Sequence, residues 1–404
     1  MKILAAGILG YVGPEADAKA NSVMKQAGPV RTSEVSMETQ PGKPRVLIFS
    51  LRNIFGKALN RSPHYEFEDI ICEIDSAELL APEVDPSSRR ASFATRLAYH
   101  APVALNPGIP RISAKGRYDI LFTICGFPQD LIMFDAISNL KDICGTSVCL
   151  LDELWIKDMA KHRHFLRILA KFDVVMQYHS QTVKPLSELI GRKCIFMPPA
   201  VDAISFCPYP NPPERVVDVY SIGRRSNVTH QKLLDMARES GLFYLHDTIA
   251  GSQAINTKEH RALFANVAKR SKYFLVNPGK IDEPHQTGRQ IEFGYRYFDG
   301  AASGAIMLGE IPDNEVFPKL FDWPDAVIRL PYDSSDIDTV IKDLEADPER
   351  QDRIRRTGVA QALMRHDWAY RWEAILDVVG LEPMQGMLQR KDRLRGLAQA
   401  ASEH

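Results

Sequence analysis

The sequence predicts an α/β protein built from two parallel-sheet domains that face each other across a cleft. Short apolar, β-rich runs alternate with helical patterns in two successive series, which is the order expected of parallel sheets covered by helices. Between the series, six prolines fall within the stretch from Pro198 to Pro213. Such a density of proline continues neither a helix nor a central strand, so we expect the domain boundary there.

The first series lies in a domain predicted over residues 44–207, after a flexible, polar leader over 1–43. Its strands are expected at 44–51, 68–81, 118–125, 146–151, 172–177 and 194–197. Helical patterns occupy 86–100, 131–139, 154–171 and 182–190. Because open parallel sheets bind ligands at the carboxyl ends of their strands, the loops at those ends are expected to line the cleft.

The second series lies in a domain predicted over residues 208–365. Strands are expected at 216–222, 242–245, 273–277, 305–308 and 325–330, and helices at 229–240, 260–268, 297–303, 337–344 and 348–366. Residues 366–404 are expected to form C-terminal helices that pack back on the first domain. The basic stretch 386–400 leaves a second interpretation open, which is contact with an acidic membrane surface.

Composition narrows the class of protein. With 50 Lys+Arg against 51 Asp+Glu in 404 residues, the formal charge is −1, which gives no general attraction to nucleic acid. The six cysteines include no Cys-x-x-Cys pair; Cys72, Cys125 and Cys149 lie in or beside apolar runs and are expected to be buried free thiols in a reducing compartment. No apolar run reaches 18 residues, so we expect a cytoplasmic protein that at most touches the inner face of a membrane.

Gly223, Arg224 and Arg225 directly follow the first strand of the second series and precede a helix. A glycine permits close approach of a ligand to the backbone, a helix N-terminus favours anions, and arginines bind phosphate oxygens through forked donors. The turn therefore predicts an anion site. The alternative is a solvated arginine pair in an ordinary turn.

A second candidate segment, residues 288–304, combines glycines, arginines and carboxylates. Asp299 falls in the first turn of a predicted helix, where it either accepts the two hydroxyls of a ribose or acts as a capping carboxylate. Glu292 is either a ligand contact or a surface carboxylate, and Arg296 either contacts the ligand or pairs internally with Asp299. Two further candidates for contact with the same ligand lie in this region, His285 and Arg289.

In the first domain, Asp152 and Glu153 end a predicted strand and face the proposed cleft. One of them could act as a base or stabilise a developing positive charge, unless Asp152 only caps the next helix. Three weaker candidates for lining the cleft follow other strands of this domain: His179, Asn53 and Gly56.

Several common motifs are absent from the sequence. There is no Gly-x-Gly-x-x-Gly fingerprint, no Walker loop and no Gly-x-Ser-x-Gly elbow, so simple dinucleotide, P-loop and α/β-hydrolase interpretations are disfavoured. No Asp-x-Asp directly follows a predicted strand, which disfavours a metal-dependent sugar transferase of one domain. No group of histidines and cysteines has the spacing of a zinc site.

Three stretches together resemble the GT-B glycosyltransferases of the group 1 type, especially their CgeB-like branch. They are Phe172–Phe206 with its Pro-Pro-x-Val-Asp-x3-Phe linker, Val217–Leu234 with the Gly-Arg-Arg turn, and Arg296–Gly304, which is similar to an Arg-x-Phe-Glu-x-Ala-x-x-Gly motif. His366, Asp367 and Trp368, with Arg371, resemble the usual ending of that family. The resemblance covers about 170–376.

The resemblance implies two Rossmann-like domains and transfer of a sugar from a nucleotide-diphospho-sugar, with retention and without a bound metal or cofactor. It assigns Gly223, Arg224 and Arg225 to the diphosphate, Asp299 to the ribose, and Asp152 or Glu153 to the acceptor side. The sequence departs from the commoner Glu-x7-Glu pattern, because six residues separate Glu292 from Asp299 and the second carboxylate is an aspartate.

The expected partners are a nucleotide sugar and a sugar or other glycoconjugate acceptor, in polysaccharide or glycoconjugate biosynthesis, and no nucleic acid. Two alternatives stay open. One is a nucleotide-sugar epimerase on the same fold, and the other is a non-catalytic subunit that binds a nucleotide or sugar.

Overall fold

The structure is a computed structural model that describes residues 43–83, 97, 109, 116–137, 140–247 and 255–403. The leader predicted over 1–43 lies outside the described residues except for its last residue. The helix predicted at 86–100 lies outside them except for residue 97.

The first sheet has six parallel strands in the order β2-β1-β3-β4-β5-β6. They are β1 (Val46–Phe49), β2 (Ala77–Leu80), β3 (Tyr118–Cys125), β4 (Cys144–Leu151), β5 (Val174–Gln177) and β6 (Cys194–Phe196). β1, β3 and β4 are largely buried, as expected of a parallel sheet that is covered on both faces. The register sets Phe49 opposite Thr123 and Leu151 opposite Gln177, so the carboxyl ends of the central strands share one edge.

The second sheet has five parallel strands in the order β11-β10-β9-β7-β8. They are β7 (Val217–Ser221), β8 (Tyr244–His246), β9 (Ser271–Val276), β10 (Ile306–Gly309) and β11 (Ile328–Arg329). The proline-rich stretch lies between the two sheets, after β6 and before β7. The predicted fold class, a GT-B architecture of two parallel-sheet α/β domains, is confirmed by these two sheets.

Helices connect the strands in both domains. In the first half they are Arg52–Phe55, Ser62–Ile74, Leu140–Ile143, Arg163–Leu166, Val183–Ile190 and Ala203–Phe206, with 3-10 turns at Leu59–Arg61, Pro128–Ala136, Ile156–Asp158, Arg167–Lys171 and Ser180–Thr182. In the second half they are Asn227–Ser240, Thr257–Lys269, Pro284–Thr287, Arg296–Ser303, Phe317–Leu320, Ile337–Glu345, Pro348–Arg365, Trp368–Val379 and Gln385–Glu403. Within the described ranges, no helix has the length and apolar character needed to cross a bilayer.

The strand predicted at 68–81 is wrong. Most of this segment belongs to the helix Ser62–Ile74, and only its end forms β2. The helix has a proline in its first turn and buries Phe67, Ile70, Ile71 and Ile74, which are spaced as one face of a helix. Cys72 consequently lies on the outer face of the helix and is exposed, whereas the other five cysteines are buried. None of the six, all of which the structure describes, forms a disulfide.

The single helix predicted over 154–171 is also wrong, since the segment consists of short turns. Its buried residues include Trp155, Met159, Phe165 and Leu169. The gap from Met159 to Phe165 falls off the helical period, so one straight helix cannot bury all four side chains against the same core.

The C-terminal helices return to the first domain. Trp368 stacks on Phe67 with ring centroids 4.5 Å apart, and Trp372 meets Phe122 edge-on at 5.5 Å. The last helix packs on both domains, with Met387 in the core beneath the first sheet and Leu394 in that of the second. The end of the chain therefore ties the two domains together.

Candidate functional site at the interdomain cleft

Two adjacent pockets lie at the carboxyl edge of the second sheet. The first pocket lies beside the residues that follow β7 and β9 and beside the start of the helix Asn227–Ser240. Its lining includes Arg224, Arg225, His230 and Tyr244. The second pocket has a volume of about 530 Å³ and lies between the loop 278–291 and the ends of β10 and β11. Its polar lining includes Lys280, Arg289, Gln290, Glu310 and Arg329.

The Gly-Arg-Arg turn borders the first pocket. Gly223 has a φ of 88°, and no atom lies within 4 Å of the position that a Cβ would occupy, so a ligand can approach its backbone closely. The guanidinium of Arg225 pairs with Asp247 at 2.9 Å, and that of Arg224 pairs with Glu283 at 2.7 Å. Both arginines are partly exposed, and a bound anion would compete with these carboxylates for them.

The helix that follows this turn is already capped. The hydroxyl of Ser226 accepts hydrogen bonds from the backbone N–H groups of Val228 and Thr229. Two of the donors that a helix N-terminus can offer are therefore occupied. An anion in the first pocket would depend mainly on the arginine side chains and the open backbone at Gly223.

Asp299 lies inside the protein and is fully buried. Its carboxylate pairs with Arg261 at 3.0 Å and with Arg296 at 3.3 Å. Arg261 also pairs with Glu66 of the first domain at 2.6 Å. Burial lowers the pKa of Arg261, but the carboxylates of Asp299 and Glu66 outweigh it and raise the pKa. Arg296 is thus the internal partner of Asp299, and the carboxylate faces neither pocket.

Glu292 contacts the first domain. Its carboxylate accepts hydrogen bonds from the backbone N–H groups of Ser180 and Gln181, at 3.1 and 3.0 Å, and from the side-chain amide of Gln290 at 2.8 Å. The side chain is buried. It therefore caps a helical turn across the domain interface, a placement that differs from both a ligand contact and a surface carboxylate.

Asp152 and Glu153 follow β4 and both meet the second domain. Oδ2 of Asp152 lies 2.6 Å from Nε2 of His64 and accepts a hydrogen bond from the hydroxyl of Tyr295 at 3.0 Å. Glu153 pairs with the ammonium group of Lys280. The main-chain N–H of Asp152 donates to the carbonyl of Cys125 at 2.8 Å, which fixes the turn. Neither carboxylate caps a helix.

Two tyrosines, Tyr295 and Tyr178, adjoin this cluster. Burial, with the charge of Asp152 adding to it, raises the pKa of both tyrosines well above the usual value. Their rings meet edge-on with centroids 5.8 Å apart. Both hydroxyls stay protonated at neutral pH, so Tyr295 is a permanent donor to Asp152.

The remaining predicted residues are dispersed around the cleft. His179 is buried, with Nδ1 3.0 Å from the carbonyl of Leu154, which is a structural contact. Asn53 donates to the carbonyl of Ala81 at 2.8 Å, and Gly56 ends the helix Arg52–Phe55. Two others lie in the loop beside the second pocket: His285 is exposed and its carbonyl accepts from Lys157, and Arg289 lines the pocket with a φ of 66°.

Sequence reasoning missed His64, Tyr295 and Arg261. His64 was hidden because a strand was expected just after it, although Ser62 and Pro63 are a signal for a helix start. Tyr295 and Arg261 have no local signal of their own. Their partners come from the other domain or another helix, and only the folded chain brings them together.

Comparison with known proteins finds a family match in the second half of the chain. Residues 224–377 match the family described as glycosyl transferase-like. This range runs from the Gly-Arg-Arg turn to the helix Trp368–Val379, and the predicted class of enzyme, a glycosyltransferase, is confirmed at the level of this match. No curated protein matches the sequence.

The solved structures to which the chain is similar include glycosyltransferases. An alpha-glucosyltransferase in complex with UDP-glucose and DNA containing an abasic site is 14% identical, with a TM-score of 0.48, over 83% of this chain and 99% of that chain. A glycosyltransferase from Rickettsia africae ESF-5 is 8% identical, with a TM-score of 0.47, over 84% of this chain and 98% of that chain. TarM is 8% identical, with a TM-score of 0.42, over 72% of this chain and 58% of that chain.

Proposed function

We propose that this protein transfers a sugar from a nucleotide-diphospho-sugar to a sugar or glycoconjugate acceptor. The observation that carries the proposal is the position of the two pockets. They lie largely within the segment that matches the glycosyl transferase-like family, and across the cleft from them stand Asp152 and Glu153 of the first domain. The donor binds in the pockets, and the acceptor enters from the side of the first domain.

The charges around the pockets suit departure of a nucleoside diphosphate. Negative charge develops on the leaving group, and cations held in fixed positions stabilise it. Such cations line the two pockets: Arg224, Arg225, Lys280, Arg289 and Arg329. We propose that they act without a bound metal and that transfer proceeds with retention, as the resemblance to group 1 GT-B enzymes implies.

The finer assignments are supported by the sequence. The linker in Phe172–Phe206 and the motif in Arg296–Gly304 support placement in the CgeB-like branch and, through that resemblance, a role in polysaccharide or glycoconjugate biosynthesis. The six cysteines form no disulfide, which supports a cytoplasmic location. The balanced charge supports a reaction without nucleic acid. Membrane contact by the helix Gln385–Glu403 stays a prediction; Met387 and Leu394 of that helix are buried in the cores.

The first test is a thermal-shift panel with UDP, GDP, ADP, CMP and dTDP, with and without EDTA. A nucleotide at about 100 times its Kd adds about 2.7 kcal/mol of apparent stability. We expect one diphosphate to raise Tm selectively, with no effect of EDTA. Arg289→Ala should weaken the shift, because its guanidinium lines the second pocket and has no side-chain partner among the described residues.

The control for this test is Arg353→Ala, which removes an exposed arginine from the helix Pro348–Arg365 and should leave the shift unchanged. If no nucleotide at millimolar concentration raises Tm, the donor site is contradicted.

A second candidate is a non-catalytic subunit that binds a nucleotide or sugar. Glu292 and Asp299 occupy the positions of the two carboxylates in the Glu-x7-Glu pattern. Both are buried and bound by protein partners, so neither is available to a sugar donor, and this favours the second candidate. A protein whose Tm rises with a nucleotide, yet which never releases that nucleotide from its sugar donor with any acceptor, would support this candidate.

A further inference from the structure

We propose that His64 and Tyr295 are positioning residues for Asp152, and that Asp152 is the group that receives the proton of the attacking hydroxyl. The proposal rests on the proposed function and deepens it, because it names the acceptor-side group and the two side chains that hold it. It follows from the different surroundings of the two carboxylate oxygens of Asp152.

One oxygen of Asp152 is held from both domains. Nε2 of His64, in the helix Ser62–Ile74, lies 2.6 Å from Oδ2, and the hydroxyl of Tyr295, from the second domain, donates to the same oxygen at 3.0 Å. Hydrogen bonds to a charged acceptor are stronger than neutral ones. Two such bonds from different directions set the plane of the carboxylate.

The other oxygen is free. Oδ1 of Asp152 has no hydrogen-bond partner among the described residues, and the side chain is 18% exposed. An ionised carboxylate can accept several hydrogen bonds. A partly buried carboxylate with one oxygen fixed and the other open to the cleft is therefore prepared to accept a hydrogen bond from a ligand hydroxyl.

The two side chains that hold the carboxylate of Asp152 pack against each other. The His64 side chain is only 3% exposed, and its ring meets that of Tyr295 at 6.3 Å between centroids. The titratable and charged groups that surround the pair come from several elements: Tyr178 after β5, Glu68 one turn further along the helix of His64, Arg61 on the other side of Gly126, and Glu153 beside Asp152. A histidine this enclosed keeps one orientation.

The placement of Tyr295 links the two substrate sides. Tyr295 directly precedes the helix Arg296–Ser303, which belongs to the domain that carries the donor pockets. Asp152 consequently receives its second donor only when the two domains are in contact. The acceptor-side carboxylate is complete only when the donor side is in place.

The chemical step is a substitution at the anomeric carbon. As the proposed retention requires, the acceptor oxygen forms a bond to that carbon on the same face from which the diphosphate departs. The bond from the carbon to the diphosphate breaks, and its electron pair goes to the diphosphate. The proton of the hydroxyl passes to Oδ1 of Asp152. The geometry places Oδ1, the oxygen without a protein partner among the described residues, where it can take this proton.

The test compares Tyr295→Phe and His64→Asn with the unmodified chain. The probe is the nucleoside diphosphate glucose whose nucleotide raises Tm in the thermal-shift panel. Water is the acceptor, and release of the diphosphate is followed to obtain kcat and KM. We expect kcat to fall about ten-fold or more in each variant. The fall should lie in kcat and leave KM for the donor unchanged, because the two side chains hold the carboxylate and do not contact the donor pockets.

Binding should be unaffected, so KM for the donor and the nucleotide-induced rise in Tm stay as in the unmodified chain. Asp152→Asn should abolish release. Tyr370→Phe is the matched control, because it also removes one tyrosine hydroxyl, which donates to the carbonyl of Leu363 away from the cleft. It should leave kcat and KM unchanged. If His64→Asn does not fold, Tyr295→Phe carries the test alone.

Three results would overturn the proposal. One is an unchanged kcat in Tyr295→Phe. Another is a lower kcat that comes with a higher KM for the donor or with a lost nucleotide-induced rise in Tm, which would indicate a structural role only. The third is an unmodified chain that binds the nucleotide but releases none from its sugar donor. Failure of the proposed function is recognised separately, because then no nucleotide raises Tm.

Discussion

Asp299 carries a negative charge with none of its surface exposed. Arg261 and Arg296 balance that charge, and Arg261 shares its guanidinium with Glu66. Removing one member of such a buried group leaves a charge without compensation, which costs more than the intact pair contributes. At the scale of the residue, Asp299 therefore supports the domain interface rather than contacting solvent or a pocket.

Asp299→Asn is expected to lower the free energy of unfolding by about 3–5 kcal/mol, because Arg261 and Arg296 lose their common partner. Urea unfolding measures this change. The control is Asp338→Asn, whose carboxylate pairs with Lys232 near the surface and which should cost less than about 1 kcal/mol. A variant with unchanged stability but without the nucleotide-induced rise in Tm would indicate that Asp299 binds the ribose, as the sequence predicts.

At the scale of the element, the last helix acts as a clamp. Arg390 is buried and its guanidinium bonds Asp367 at 2.8 Å and Asp202 at 2.7 Å. Burial raises the pKa of Asp202, but Arg390 and the hydrogen bonds to the carboxylate outweigh this and lower it. Asp202 lies just after β6, where the chain leaves the first domain, and Asp367 lies just before the helix that packs back on that domain. The helix Gln385–Glu403 thereby holds these two segments together.

Arg390→Met should lower the free energy of unfolding by about 3–5 kcal/mol, because it leaves two carboxylates without their cation. Arg393→Met, on the exposed face of the same helix, should change it by no more than about 0.5 kcal/mol. Both variants can be compared by thermal and urea unfolding. Equal stabilities would show that the last helix is held by its apolar contacts alone.

At the scale of the whole molecule, one loop of the second domain supplies much of the polar contact across the cleft. Lys280 pairs with Glu153, Gln290 donates to the hydroxyl of Thr182, and Glu292 caps the turn at Ser180. The same loop lines the second pocket. A ligand there would contact the segment that holds the domains together, so donor binding and the closed arrangement are expected to support each other.

Glu292→Ala should open the cleft, because it removes the acceptor for two backbone N–H groups of the first domain. We expect a larger radius of gyration by small-angle scattering, and partial recovery when the selected nucleotide is added. Glu259→Ala, on the exposed side of the helix Thr257–Lys269, should leave the scattering curve unchanged. Identical curves for Glu292→Ala and the unmodified chain would contradict this role of the loop.

Much of the fold could be predicted because its signals are local. The apolar runs that form β1, β3, β4 and β9 are short, buried and separated by helical patterns, which a parallel sheet requires. The predicted strand at 68–81 was wrong because the residue types there favour a strand, whereas the spacing of the apolar residues is that of a helix. In 68–74 the isoleucines favour a strand, but their spacing and the proline at the helix start decide for a helix.

The sequence by itself determined the class of architecture and the places where strands end, because hydrophobic period and proline density are properties of neighbouring residues. It also placed Asp152, Glu153 and Arg225 near the cleft. Only the tertiary structure decided what each charge does. Whether a carboxylate faces a ligand or a buried arginine depends on which distant residue arrives beside it, and Asp299 meets Arg261 solely through the packing of two helices.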